Sequence, residues 1–196
     1  SEAEAGTSLE HTLYDTLENM TFDLPSGYIP VDESIRRFTQ YRSYRMPAGD
    51  DTETSASEVY FTGFKMACPL TEEDAQNHLD GVVRRILSED GLDAAILGEA
   101  DKAGDWFYFV FDINGKNVSR LTKDPSRFDD RQLRGIFAVK ATDRMMYELI
   151  LFAGIDDFIS LEETVFQPFV DSFQVFPIKN EWGGYAHDGF SLPCPP

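Results

Sequence analysis

The chain has 196 residues, 42% of them hydrophobic, and its 35 acidic side chains outweigh 17 basic ones to give a net charge of −18. That length and composition support one globular domain with a sizeable core and exclude a disordered polymer. The charge argues against nucleic acid and against an anionic membrane face, both of which need a cationic surface, and no run of about 18 apolar residues predicts a membrane-spanning helix.

Residues 1–8, all small or acidic, read as a flexible linker. Such a start fits a mature chain whose export segment has been removed, and it fits a trimmed chain equally well. No secretory signal lies within the sequence. In residues 9–20, Leu9, Leu13, Leu17 and Met20 share one helical face and predict a short helix. Residues 21–24 alternate as a strand, 25–27 turn, and 28–31 continue extended.

Residues 35–46 carry Arg36, Arg37, Arg42 and Arg45 with no acid. Arginine interleaved with aromatics is the pattern of an anion-binding platform. It is equally the pattern of a strand whose arginines pair with the abundant carboxylates. Residues 50–57 are polar and acidic and read as a hairpin tip or loop. Residues 59–66 alternate as the returning strand.

A helix is predicted over 71–89. Thr71 to Asp74 resembles a capping box, and Ala75, Leu79, Val82, Val83, Ile86 and Leu87 form its apolar stripe. Gly91 is placed to close it in the left-handed conformation. His78 lies beside the stripe, where a histidine is more often a surface residue than a ligand.

Residues 94–100 read as a strand and 101–104 as a loop. The run 105–113 is predicted to be the central strand, with Phe107, Phe109, Phe111 and Ile113 on one face. Trp106, Tyr108, Val110 and Asp112 take the other. Asn114-Gly115 signals a type I′ hairpin, with 116–121 as partner strand. A calcium loop starting at Asp112 is rejected, because its sixth and twelfth positions are Asn117 and Lys123 rather than Gly and Glu.

From 116 to 134, six basic residues face three acids, a local excess of +3. Lys116, Arg120, Lys123, Arg127, Arg131 and Arg134, with the four arginines of 35–46, are the candidate interaction surface. An exposed segment that offsets neighbouring acids is the competing reading. Residues 135–142 and 145–152 form a hairpin around Asp143-Arg144. Residues 160–173 form the second helix, opened by a capping box at Ser160 and kinked or restarted by Pro168. Val165, Phe166, Phe169, Val170 and Phe173 are its buried stripe, and 173–176 are read as a short closing edge strand. The tail from 179 on is predicted to pack its Trp182, Tyr185 and Phe190 onto the body.

No catalytic constellation emerges. His11, His78 and His187 lie in separate regions with no nucleophile elbow, phosphate loop or dinucleotide fingerprint. Adjacent acids such as Glu72-Glu73 and Asp129-Asp130 are expected in a chain this acidic. No cofactor or metal is implied. Cys68 and Cys194 are a candidate disulfide closing a loop of about 126 residues, on the order of 4 to 5 kcal/mol in the chain-entropy account. Two unpaired thiols are the alternative, and the compartment decides.

The run from Phe22 through Leu24, Pro25 and Gly27 to Tyr28 resembles the "Phe-x-Leu-Pro-x-Gly-aromatic" opening of the Mog1/PsbP-like superfamily, which includes bacterial DcrB-like proteins. The close, Phe166 to Val170, Asp171, Ser172 and Phe173, resembles that superfamily's last helix. The match covers residues 20–176. It implies an α+β fold: an antiparallel β-sheet flanked by helices on both faces, an α/β/α sandwich. It also implies a binding, chaperone or assembly role without an active site. Some members bind a GTPase, some support photosystem II, and many bacterial ones are exported lipoproteins or secretion chaperones. The departures are the basic 116–134 segment, the acidic 50–57 loop and the tail after 177. The expected organisation is a linker (1–8), one domain (9–178) and a packed tail (179–196).

The expected function is a non-enzymatic binding module of a bacterial cell envelope, exported or lipid-anchored upstream of residue 1, with a protein partner. The rivals are a cytosolic chaperone or adaptor holding an apolar segment and a hydrolase using two facing carboxylates.

Overall fold

The computed structural model describes residues 19–36, 39–123 and 127–176. The predicted helix before residue 19, Arg37 and the tail from 179 on lie outside these residues.

Seven strands form one antiparallel sheet: β2 (Ile29–Arg36), β3 (Thr39–Ala48), β4 (Asp51–Lys65), β5 (Ala94–Ala103), β6 (Trp106–Asn114), β7 (Gln132–Thr142) and β8 (Met145–Gly154). Their order across the sheet is β2-β3-β4-β8-β7-β6-β5. A separate pair joins β1 (Asn19–Thr21) to β9 (Gln174–Phe176). The helices are few: α1 (Glu72–Ser88), then a C-terminal run of α2 (Phe158–Leu161), a π turn (Glu162–Phe166) and α3 (Gln167–Ser172). The result is a mixed α+β fold dominated by its antiparallel sheet.

Period-two alternation divides the strands' side chains between two core clusters. Trp106, Ile136, Ala138, Tyr147, Leu149, Val59 and Phe61 join Phe22, Leu24, Val165, Phe166, Phe169 and Phe173 in one. Phe109, Phe111, Ile113, Phe137, Val139, Ile150, Phe152 and Tyr60 join Ala75, Leu79, Val82 and Ile86 of α1 in the other. The alternation predicted for 105–113 and the stripe of the second helix therefore hold, and the α1 stripe holds except at Leu87, which is 61% exposed. The capping box holds at Thr71, whose side chain accepts from the Asp74 amide while the Asp74 carboxylate accepts from the Thr71 amide.

Several predicted elements differ. The 106–113 run is not central: β6 is next to the edge strand β5, and β8 holds the middle. Its hydrophobicity reflects burial on both faces, which any interior strand can have. The acidic stretch 50–57 is not a loop but the first half of the 15-residue β4. Asp51 accepts hydrogen bonds from the Glu53 amide (2.8 Å) and Thr54 Oγ1 (2.6 Å), and the buried Ser57 hydroxyl meets Tyr28 Oη at 2.6 Å. The hairpin tip shrinks to Gly49-Asp50, with Gly49 at φ +59°. Residues 35–46 span two strands, β2 and β3, rather than one.

β5 runs through Ala103, absorbing most of the predicted 101–104 loop with a register shift between Leu97 and Asp101. α1 ends at Ser88, and Gly91 takes its left-handed conformation (φ +76°) in the turn beyond. No capping box forms at Ser160: the helical run already begins at Phe158, and the Ser160 carbonyl accepts from Thr164 Oγ1 at 2.7 Å. The π turn stands immediately before Pro168. Proline offers no amide hydrogen and crowds the carbonyl four residues back, so the widened turn relieves a clash that a regular helix would incur.

Candidate functional site

α1 packs against β5, β6 and β7. The same sheet face continues across β8, β4 and β3, and there a cleft of about 220 Å³ opens. Its floor follows from strand register. Tyr41 of β3 stands opposite Thr62 of β4, and Thr62 stands opposite Glu148 of β8. Tyr60 faces Ile150 across the same two strands, and Phe64 extends the β4 row by two residues.

The opposite wall is made by Arg120, Leu121, Thr122 and Lys123. They follow a 3-10 helix, Gly115–Arg120, which replaces the expected hairpin and its partner strand. Asn114 does not make a type I′ turn. Its side chain accepts from the Lys116 amide at 3.0 Å and starts the helix as an N-cap. The Gly115 amide donates to the Arg131 carbonyl at 2.8 Å, and a Cβ on Gly115 would lie 2.3 Å from the Asp129 carbonyl oxygen. Glycine is therefore required here for close backbone approach, not for positive φ. Buried Val118 and the Asn117 side chain, which donates to the Leu92 carbonyl at 2.7 Å, seat the helix.

Beneath the wall lies Glu58, a carboxylate only 3% exposed. It accepts hydrogen bonds from Ser55 Oγ (2.6 Å), from the Arg127 amide (3.3 Å) and from the Tyr60 hydroxyl. Arg131 Nη2 donates to the Ser55 carbonyl at 2.5 Å. These bonds fasten the 127–131 segment to β4. Burial pushes the Tyr60 phenol well above its ordinary range, and the Glu58 charge adds to the shift. Tyr60 is thus a neutral hydroxyl held by a carboxylate. On the α1 side of the cleft, His78 Nε2 lies 2.5 Å from Glu148 Oε1, so this histidine does have a specific partner.

The ten basic residues of the predicted surface do not converge. Arg120 and Lys123 stand at the cleft. Arg120 is paired with Glu89 at 2.7 Å, whereas Lys123 Nζ lies 4.9 Å above the Tyr41 ring. Lys116 faces Asp130 at 3.6 Å, and Arg127 is exposed. Arg134 makes a two-point contact with Asp112 (2.7 and 3.0 Å), which raises its pKa, and it stacks by Phe158 of the other cluster. Arg42 is buried against Glu33 at 3.0 Å and Arg45 is buried as well, so neither is on the surface. Arg36 ends β2.

Sequence reasoning missed the floor: Tyr60, Thr62, Phe64 and Glu148. The available signal was the alternation in 59–66, whose even positions form a row of large side chains with one hydroxyl. Nothing local says that α1 lies over β5, β6 and β7 instead.

Cys68 is disulfide-bonded, and Cys194 lies outside the described residues. Among the described residues, no group of three or more His, Cys, Asp or Glu is placed to hold a metal ion, and no helix is long and apolar enough to cross a membrane. Chemically, the cleft offers aromatic rings and a hydroxyl at its floor and a cation at its rim.

Sequence comparison found neither a matching family model nor a matching curated protein. Comparison with solved structures did. Cyanobacterial PsbP from Synechocystis superposes over 90% of this chain and 98% of its own, with 15% identity and a TM-score of 0.51. The Ran-binding protein Mog1p of Saccharomyces cerevisiae covers 84% of this chain and 94% of its own (8% identity, TM-score 0.45). LpqN, involved in cell envelope biogenesis of Mycobacterium tuberculosis, covers 85% and 90% (12% identity, TM-score 0.43). The PsbP likeness shows the fold: this chain has the Mog1/PsbP-like architecture that its opening and closing motifs resemble.

Proposed function

We propose that the chain is a non-enzymatic binding module of a bacterial cell envelope and that the cleft over β3, β4 and β8 is its docking surface. In this reading the sheet is a shared wall with a helical layer on each face. The two clusters, one including α1 and the other the C-terminal helical run, support that arrangement. The observation that carries the proposal is the cleft beside the 120–123 wall, which half-buried Thr62 and Phe64 face and the edges of the buried Tyr41, Tyr60 and Ile150 border. Aromatic side chains in a concave site are the usual anchors of recognition. The bonded state of Cys68 supports an oxidising compartment, where disulfides persist. Pairing with Cys194 would join the tail to the start of α1.

A photo-crosslinking residue placed at Thr62, compared with one at exposed Leu87 on α1, tests the docking surface in cells. A discrete adduct from Thr62 alone is expected. Equal adducts from both positions, or none, would reject the cleft. Thiol alkylation before and after reduction, combined with cell fractionation, tests the compartment: Cys68 should be blocked and the chain extracytoplasmic. A reactive Cys68 in a cytosolic fraction would favour instead the chaperone that holds an apolar segment.

A further inference from the structure

We propose that the cleft takes one aromatic or large apolar side chain from an acidic segment of a partner protein, with Lys123 as the rim cation that receives its carboxylates. This rests on the reading of the cleft as a docking surface and adds the chemistry of the occupant.

Size comes first. At about 220 Å³, the cleft is smaller than the ~300–1,000 Å³ of pockets that enclose whole drug-sized ligands. It is larger than the ~150 Å³ that admits benzene. One ring with a few further atoms fills it, which is the volume of an anchoring side chain. The floor suits such an anchor: half-buried Phe64 presents a ring, half-buried Thr62 a hydroxyl, and the edges of the buried Tyr41, Tyr60 and Ile150 border them.

Charge comes second. Six of the described Lys and Arg side chains are paired with carboxylates. Arg42 meets Glu33, Arg120 meets Glu89, Arg134 meets Asp112 and Lys140 meets Asp105. Lys123 is exposed, has no carboxylate partner among the described residues, and its ammonium is held over the Tyr41 ring at the mouth of the cleft. Glu148, the acid lining the opposite side, is hydrogen-bonded to His78 at 2.5 Å. In a chain of net charge −18, a basic partner would be drawn to much of the surface without preference. An acidic partner is repelled from most of it and is accommodated where the local charge reverses. The cleft thus selects by both shape and sign, and the general repulsion improves discrimination.

The test uses the full chain, isotope-labelled, and three short blocked peptides: phenylalanine flanked by two glutamates on each side, alanine in the same acidic frame, and phenylalanine flanked by lysines. Amide shifts are followed by NMR at low and high salt. The Glu-flanked Phe peptide should move the amides of Tyr60, Thr62 and Lys123 together and weaken as salt rises. Lys123→Glu should lower its affinity about tenfold, as expected for reversing one rim charge. Thr62→Trp, which fills the cleft, should abolish the shifts, and the variant's own spectrum reports whether it has folded. Equal or tighter binding of the Lys-flanked peptide, equal binding of the alanine peptide, or no change in Lys123→Glu would overturn the proposal. A Thr62 crosslink to a partner in cells, together with no binding of the acidic peptide, would overturn this inference while leaving the docking surface standing. Loss of both would remove the two readings together.

Discussion

The cluster around Phe169 and the cluster around Leu79 draw on alternate residues of the same five strands, β3, β4, β6, β7 and β8, yet they are finished differently. Around Phe169, four rings close in, from the segment after β1, from β6, from the end of α3 and from β4: Phe22 at 4.9 Å, Trp106 at 5.3 Å, Phe173 at 5.8 Å and Phe61 at 6.2 Å between centroids. Around Leu79, α1 covers β5, β6 and β7, and the floor beyond it is roofed only at one side by the 3-10 helix and the wall that follows. The difference teaches that a sheet can be uniformly apolar and still leave part of one face available for recognition. What decides this is the length and placement of the covering helix, not the hydrophobicity of the strands.

Mutations break or sharpen that contrast. Phe169→Ala should be the most damaging, because it removes a fully buried ring that four other rings surround. A loss of about 3–5 kcal/mol is expected, measured by denaturant unfolding. Leu79→Ala, also fully buried but in the half-open cluster, should cost about 2–4 kcal/mol. If it costs as much as Phe169→Ala, the two clusters are equally tight and the contrast fails.

Alkaline pH probes both clusters at once. Burial pushes Tyr28 and Tyr44 up to about 12 from the ordinary 10.0, and Tyr60 further still. The unfolded chain releases these protons first. Stability is therefore fully present below about pH 10 and falls as pH rises towards and through the folded values. Unfolding midpoints between pH 8 and 12 should follow that slope, with tyrosinate absorbance lagging until the fold opens. Tyr28→Phe and Tyr60→Phe should each flatten it.

Smaller effects follow. Thr71→Ala, which deletes the capping box of α1, should cost about 1 kcal/mol in the same unfolding assay. Lys123→Glu at the rim should change stability by less than about 0.5 kcal/mol while altering peptide binding. A large stability loss there would mean that the cation over Tyr41 serves the fold rather than a partner.

Much of the fold was legible locally. The stripe of α1, its capping box, the β7–β8 hairpin and the face assignment within β6 all follow from periodicity and from side-chain to backbone bonding within a few residues. Three readings were not recoverable that way. Asn114-Gly115 carries the strongest hairpin signal in the chain. Yet Gly115 is claimed by a carbonyl sixteen residues away, and the tertiary contact outweighs the turn preference. The acidic residues after Gly49 lack strand character, but Ser55, Ser57 and Glu58 are paired from β3 and from the 127–131 segment. The arginines of 35–46 look like a surface and prove to be partly internal.

The candidate site was still less visible. Its floor comes from the consecutive strands β3 and β4 and from the distant β8, and the signal in each is an ordinary alternation. The cleft exists because those rows fall in register and α1, lying over β5, β6 and β7, reaches them at the His78–Glu148 contact.

By itself the sequence determined that this is an acidic α+β chain, where α1 starts, and which residues of its regular elements mostly turn inward, because propensity, capping and period-two or 3.6-residue burial act over short distances. Only the tertiary structure decided which strand is central, which basic residues are engaged and where the sheet remains open. Those outcomes depend on cross-strand register and helix placement, which arise from contacts between residues that are distant along the chain.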